Sequence, residues 1–235
     1  MEINRYEINA GLERPVTFAV VSDLHSGNFG PVLEKIKEIS PDALLCPGDF
    51  IHTANPNEKG FDFLAEASHI WPVFCSMGNH EVKRGVDVKQ NIRDTGAVLL
   101  DNEWTEAFGI TIGGLSTGYS VGVTQRKFKT TPRPEIEKLD GFFAGEGFKL
   151  LLSHHPEYYG RYLKDKAVDL VISGHAHGGQ WRVFGRGVFA PGQGIFPKYT
   201  SGLYDGKLLV SRGLANNTGI PRIFNDTELI VLHIK

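Results

Sequence analysis

The sequence predicts a layered α/β fold, and three observations carry that expectation. Short apolar runs alternate with amphipathic stretches over most of the length, the pattern of helices packed on a sheet. Several runs are continuously apolar and rich in branched residues, as in Val16-Thr17-Phe18-Ala19-Val20-Val21, which fits strands buried on both faces. Composition is that of an ordinary globular chain, with 235 residues, 41% hydrophobic and 22% charged, so disordered, collagen-like and coiled-coil readings are excluded. No repeat, low-complexity tract or linker interrupts the chain, so a single domain over residues 1–235 is expected.

The elements follow in order. Val16–Val21 reads as the first strand. Pro31 opens a helix whose apolar stripe is Val32, Leu33, Ile36 and Ile39, and Pro41 marks its stop. Asp42–Cys46 is the next strand, residues 60–70 are helical through Phe61, Leu64, Ala65 and Ala67, and Pro72–Cys75 is a third strand. A helix near 86–94 precedes short strands at Ala97–Leu100 and Ile110–Gly113. Residues 116–134 are polar, hold Arg126, Lys127, Lys129 and Arg133, and read as a long surface loop forming a basic rim. Phe148–Leu152, Val168–Ile172 and Leu229–Ile234 complete the strands, the last after a Gly-rich stretch.

Charge and cysteine usage narrow the function classes. Twenty-five basic against twenty-seven acidic residues give a formal charge of −2, with no broad basic field to hold a nucleic-acid backbone. The first twenty residues carry Glu2, Arg5, Glu7, Glu13 and Arg14, which leaves no apolar core for a signal peptide. No apolar run reaches the roughly 20 residues of a membrane span. The expectation is a cytoplasmic protein without a transmembrane segment, with peripheral association at a membrane left open. Cys46 and Cys75 each lie in an apolar run and read as small buried hydrophobes, not a disulfide framework.

Chemistry gathers at the ends of five apolar runs. These end in Asp23-Leu24-His25, Gly48-Asp49, Gly78-Asn79-His80, Ser153-His154-His155 and Gly174-His175-Ala176-His177. Ligands of open α/β sheets bind outside the carboxyl ends of the strands, so these ends should converge on one edge. Carboxylates and imidazoles without a thiolate suit manganese, iron or zinc. Each piece alone is weak, since a lone Asp-x-His or His-x-His is common and Gly-Asn reads as a turn. Five in order, each closing a strand-like run, is a specific signal.

Together these residues resemble the calcineurin-like metallophosphoesterase family, whose pattern is D-x-H, G-D, G-N-H-[D/E], H and G-H-x-H. The matches are Asp23 and His25, Gly48-Asp49, Gly78-Asn79-His80-Glu81, His154, and Gly174-His175-x-His177. The tail, with Gly178-Gly179-Gln180, Pro191-Gly192-Gln193-Gly194, Phe196-Pro197-Lys198-Tyr199, Gly202-Leu203-Tyr204 and Ser211-Arg212-Gly213, is similar to the bacterial YkuE/YaeI-like phosphodiesterase subgroup. That subgroup includes enzymes acting on UDP-diacylglucosamine. The resemblance implies a four-layer sandwich, two mixed β-sheets face to face with helices outside. It also implies two divalent metal ions, one held by Asp23, His25, Asp49 and His177, the other by Asp49, Asn79, His154 and His175, with Asp49 bridging.

His154 is preferred to His155 as the ligand, because it falls where the family has its single histidine; His155 then reads as an outer or exposed group. Many relatives have Asp at the position of His52, and protein phosphatases follow it with Arg. Here Thr53 follows, which disfavours a protein Ser/Thr phosphatase and leaves the role of His52 open. A hydroxide shared between two cations would be the nucleophile, and His80 is the candidate catalytic residue, as general acid or transition-state stabiliser. Arg84, Lys198 and Arg212 are candidate anion contacts, whereas His69 and His233 read as structural. The expected activity is phosphodiester hydrolysis on a small or amphipathic phosphoester. The alternatives are a phosphomonoesterase and a catalytically silent scaffold.

Overall fold

A computed structural model describes the chain except residues 54–57, 86, 119–130 and 217–219. In chain order the elements are β1 (Glu2–Ile8), β2 (Val16–Val20), α1 (Gly30–Ile39), β3 (Ala43–Cys46), α2 (Lys59–Ser68), β4 (Val73–Cys75), α3 (Asn79–Arg84), α4 (Asp87–Asp94), β5 (Val98–Leu99), β6 (Glu103–Ala107), β7 (Ile110–Leu115), α5 (Asp140–Ala144), β8 (Lys149–Ser153) and β9 (Leu170–Ser173). The C-terminal part adds β10 (Arg182–Val183), β11 (Arg186–Gly187), β12 (Phe189–Ala190), β13 (Gly194–Ile195), β14 (Gly202–Tyr204), β15 (Leu208–Val210) and β16 (Glu228–Ile234).

Two six-stranded sheets form the centre, ordered β1-β16-β2-β3-β4-β5 and β14-β15-β9-β8-β7-β6. Both are mixed. In the first, β2 to β5 run parallel while β16 pairs antiparallel to β2. In the second, β7, β8, β9 and β15 run parallel, with β6 and β14 antiparallel at the edges.

The continuously apolar strands have a direct cause in the layering. Successive side chains of a strand point to opposite faces, and here both faces are covered. Phe18 and Val20 of β2, Leu45 of β3, Leu150 and Leu152 of β8 and Ile172 of β9 fill the space between the sheets. Their neighbours Ala19, Leu44 and Cys46 point outward onto the helix layer with Leu33, Ile36 and Leu64. Leu151 and Val171 do the same on the far side, against Phe142 and Tyr159. The order is helix, sheet, sheet, helix, as the family resemblance implied.

Cys46 and Cys75 are buried, unpaired and register partners on adjacent strands, and burial pushes both thiols up. The polar strand β1 and the edge strand β6 were not foreseen, nor was α3, which begins inside the Gly-Asn-His motif. Of the expected basic rim, Arg126, Lys127 and Lys129 lie outside the described residues, while Arg133 pairs with Glu137. Among the described residues no helix is long and apolar enough to cross a membrane.

Candidate metal centre

Every run singled out in the sequence ends at the same edge of the sandwich. Asp23 and His25 follow β2, Asp49 follows β3, Asn79 and His80 open α3 after β4, His154 follows β8, and His175 and His177 follow β9. Because β2, β3, β4, β8 and β9 are each parallel to a neighbour in their sheets, their carboxyl ends face one side. Both sheets therefore contribute.

The turns are stitched to one another before any ligand is considered. Asp23 N–H donates to Gly48 O at 3.3 Å and His25 N–H to Asp49 O at 3.0 Å. The Asp23 carboxylate accepts from Ser22 Oγ at 2.6 Å and, through both oxygens, from His175 N–H at 3.1 Å. A side chain at Gly48 would strike the backbone of Gly78, and one at Gly174 would strike Ser22 and Asp23. Asp23, His25, Asp49, His175 and His177 all adopt positive φ, between 46° and 64°. Left-handed backbone is costly for side chains of this kind and clusters at functional sites.

Glu81 is the hidden support of this edge. Its buried carboxylate accepts from the backbone N–H groups of Asp49 and Gly78 at 2.8 Å and of Ile51 at 3.0 Å. Burial, together with the charge of Asp49, raises it to about 7 against the opposing backbone hydrogen bonds. Glu81→Gln keeps the shape but replaces an acceptor oxygen by a donor, so at least one N–H group loses its partner. The expected cost is about 1–3 kcal/mol, read as a lower melting temperature; an unchanged melting temperature would remove this role from Glu81.

Two groups of ligand-type side chains stand side by side. In the first, Asp23, His25 and His177 lie together, with His25 Nε2 3.2 Å from His177 Nε2 and Asp23 Oδ1 at 3.7 and 3.5 Å from the two. In the second, Asp49, His154 and His175 lie together, with His154 Nε2 3.0 Å from Asp49 Oδ2. Asp49 belongs to both neighbourhoods. Its Oδ1 is fixed by the His80 N–H at 2.9 Å, and its Oδ2 faces His25 Nε2 at 3.9 Å and His80 Nε2 at 4.0 Å.

The residues present fit divalent cations. Asn79 Oδ1, His25 Nδ1 and His154 Nδ1 are buried without a hydrogen-bond partner among the described residues, an arrangement that otherwise costs free energy. Burial would raise Asp23 and Asp49, but the surrounding imidazoles outweigh it and hold both well below the usual carboxylate range. Burial likewise opposes protonation of His154, yet Asp49 and Asp23 raise it to about 9. The pocket is thus an anionic cluster in want of positive charge.

His80 is held by Thr53, four residues past Asp49 of the preceding motif. Thr53 N–H donates to His80 Nδ1 at 2.9 Å, and Thr53 Oγ1 lies 2.9 Å from the same nitrogen. An Nδ1 that accepts a backbone N–H carries no hydrogen, so the ring proton sits on Nε2, which faces Asp49 and the cluster. Burial, with His25 and Lys83 adding to it, lowers His80 to about 4. Thr53 thus engages His80 Nδ1, and the His52 ring packs 4.7 Å from that of His80.

Several side chains stand differently from expectation or were not foreseen. His155 is buried, not exposed, with Nδ1 3.5 Å from Glu157 Oε1, and forms a further ligand-type group with Glu157 and His175. Arg84 pairs with Glu58 at 2.7 Å, and Arg212 pairs with Glu2 and lies 3.7 Å from Glu228; both are engaged in ion pairs. Lys198 lies over the ring of Tyr199. His69 bonds Ala65 O and His233 bonds Thr17, as structural histidines do. A cation beside the cluster is Arg222, whose Nη2 is 3.2 Å from His177 Nδ1 and 2.6 Å from Ala215 O, while its buried Nε and Nη1 have no hydrogen-bond partner among the described residues. No motif surrounds Arg222; only the fold brings it here.

A family model for calcineurin-like phosphoesterases matches residues 16–179, the span from β2 through the last of these histidines. The chain belongs to that family. Among its relatives, an uncharacterized metallophosphoesterase of Campylobacter jejuni is 28% identical over 247 residues, covering 95% of this chain and 60% of the relative. The chain thus spans less than two thirds of that protein's length. Phosphodiesterase YaeI of Escherichia coli is 26% identical over 191 residues, covering 72% of this chain and 63% of the relative. The UDP-2,3-diacylglucosamine pyrophosphatase LpxG of Chlamydia muridarum is 26% identical over 269 residues, covering 90% and 81%. Members of this metallophosphoesterase family hydrolyse phosphoesters, and the Asp/His groups described above could hold their metal ions.

Proposed function

We propose that this protein is a metal-dependent phosphodiesterase with a two-ion centre. One ion would be held by Asp23, His25, Asp49 and His177, the other by Asp49, Asn79, His154 and His175. The observation that carries the reading is Asp49 Oδ2, which lies within 4.0 Å of imidazole nitrogens from both groups. Divalent ions there supply Lewis acidity toward phosphoryl oxygens and a water of lowered pKa.

The chain's own residues do the rest. Asp49 presents one charge to both positions while its other oxygen is tied to the backbone. Neutral His80 directs Nε2–H at the cluster, where it donates a hydrogen bond to a phosphoryl or leaving oxygen in the transition state. Arg222 offers two unsatisfied nitrogens beside His177, a cation for a substrate oxyanion. The diester reading rests on the name of the Escherichia coli relative, a phosphodiesterase; the Chlamydia relative is named a pyrophosphatase of an acylated nucleotide sugar, which favours an amphipathic phosphoester.

The test is hydrolysis of bis-p-nitrophenyl phosphate against p-nitrophenyl phosphate by metal-stripped protein reloaded with manganese. Preference for the diester is expected. Preference for the monoester would make the protein a phosphatase, and inactivity on both with two ions bound would favour a silent scaffold. Arg222→Ala should raise the diester KM about tenfold with bound metal unchanged. An unaltered KM would release Arg222 from substrate binding.

A further inference from the structure

The most exposed large apolar side chains among the described residues are Phe184, Phe224 and Phe196, at 102%, 88% and 78%. All three also adopt positive φ, at 49°, 51° and 50°. A bulky side chain in that region is uncommon and strained. Phe108 shares the conformation at 55°, but its ring packs on Phe18 and Phe74 at 5.7 and 6.5 Å, and that ring packing offsets its strain. Phe184, Phe196 and Phe224 belong to none of the core clusters. Among the described residues no core cluster compensates them.

They sit on one lobe. Phe184 is at the turn of the β10–β11 hairpin. Trp181 bridges to Ile223, and Arg182 N–H donates to Ile223 O at 3.0 Å, which sets Phe224 beside that hairpin. Val188 N–H donates to Trp181 O and Phe196 N–H to Val188 O, both at 2.8 Å, which brings Phe196 onto the same lobe with exposed Ile195. Charge is segregated as well. Residues 181–204 contain Arg182, Arg186 and Lys198 and no acidic residue, and 214–225 contain Arg222 and none, although acids outnumber bases in the whole chain. Asp205 and Asp226 mark the ends of the two segments. The lobe is rooted on the metal centre, since Asn225 Nδ2 donates to His177 O at 2.7 Å and Arg182 Nη1 to Gly178 O at 2.9 Å.

We infer that this lobe docks the protein on the surface of an anionic lipid bilayer. Phenylalanine rings projecting singly from turns suit a fluid headgroup–acyl boundary, where no preformed pockets are needed. Arg186 and Lys198, both exposed, meet the lipid phosphates, and the absence of acids removes the repulsion that an anionic surface otherwise imposes. Docking in this way sets the mouth of the metal centre at the bilayer. The inference stands on the lobe alone and does not require the diesterase reading.

The experiment is vesicle co-sedimentation of the purified protein, with phosphatidylglycerol–phosphatidylcholine vesicles against pure phosphatidylcholine. Sedimentation with the anionic vesicles is expected. Combined Phe184→Asn, Phe196→Asn and Phe224→Asn, which keep residues tolerant of positive φ, should weaken binding about tenfold or more. Arg186→Glu with Lys198→Glu should weaken it about fivefold or more per position. Circular dichroism melting serves as the fold control for each variant. Retention in the supernatant with both vesicle types would overturn the inference, as would undiminished binding by the Phe variant. Self-association abolished by the Phe variant, without vesicle binding, would assign the lobe to a second copy of this chain and overturn it too.

Discussion

Asp49→Asn is expected to lower diester turnover by about 10³-fold or more and to reduce the metal content of the purified protein at both positions. The argument is geometric. The His80 N–H donates to Asp49 Oδ1 at 2.9 Å, so an Asn side chain keeps its carbonyl oxygen there and turns its amide nitrogen to where Oδ2 stood. That place faces His154 Nε2 at 3.0 Å and His25 Nε2 at 3.9 Å. A shared negative charge is thus replaced by N–H groups that repel cations, in a substitution close to isosteric. Metal per chain by mass spectrometry and hydrolysis of bis-p-nitrophenyl phosphate read the two effects separately. Full activity in this variant would break the two-ion reading.

His80→Ala is the second large effect, and its signature differs. Turnover should fall about 10²–10³-fold while bound metal stays as in the parent protein. Thr53 N–H occupies Nδ1, which disfavours the doubly protonated ring and leaves Nε2–H as a hydrogen-bond donor. Its loss should then weigh similarly on p-nitrophenyl and alkyl leaving groups. A much heavier loss on the alkyl ester would make His80 a proton donor to the leaving oxygen instead. Loss of metal in the variant would place His80 among the ligands, with His25 and Asp49 beside it.

What could be read from the sequence was whatever repeats in a short window. The buried strands announced themselves because both their faces are covered, so Phe18-Ala19-Val20 and Leu150-Leu151-Leu152 are unbroken. The expected ligand residues were legible because each closes such a run. Strand β1 was not, since its Glu-Ile-Asn-Arg-Tyr-Glu-Ile pattern lies at the sheet edge with Glu2, Arg5 and Glu7 exposed, and it gains its place from pairing with β16. The tie from Thr53 to His80 spans the gap between two motifs, and Arg222 reaches His177 from the far end of the chain. Such contacts are created by topology. Of the outer and exposed readings of His155 only exposure is excluded, because burial at a strand end depends on the opposite turn, here the one bearing His175, whose ring lies 4.1 Å away.

The division of the cluster between the sheets has a mechanical consequence. Asp23, His25, Asp49 and Asn79 hang from one sheet, and His154, His175 and His177 from the other. An ion held in the proposed way would grip both and act as a rivet through the sandwich, so its affinity would measure how truly the two sheets are aligned. Leu45, Leu152 and Ile172 fill the seam between them. A smaller side chain at any of these is expected to weaken metal binding, measured by titration, before it lowers the melting temperature.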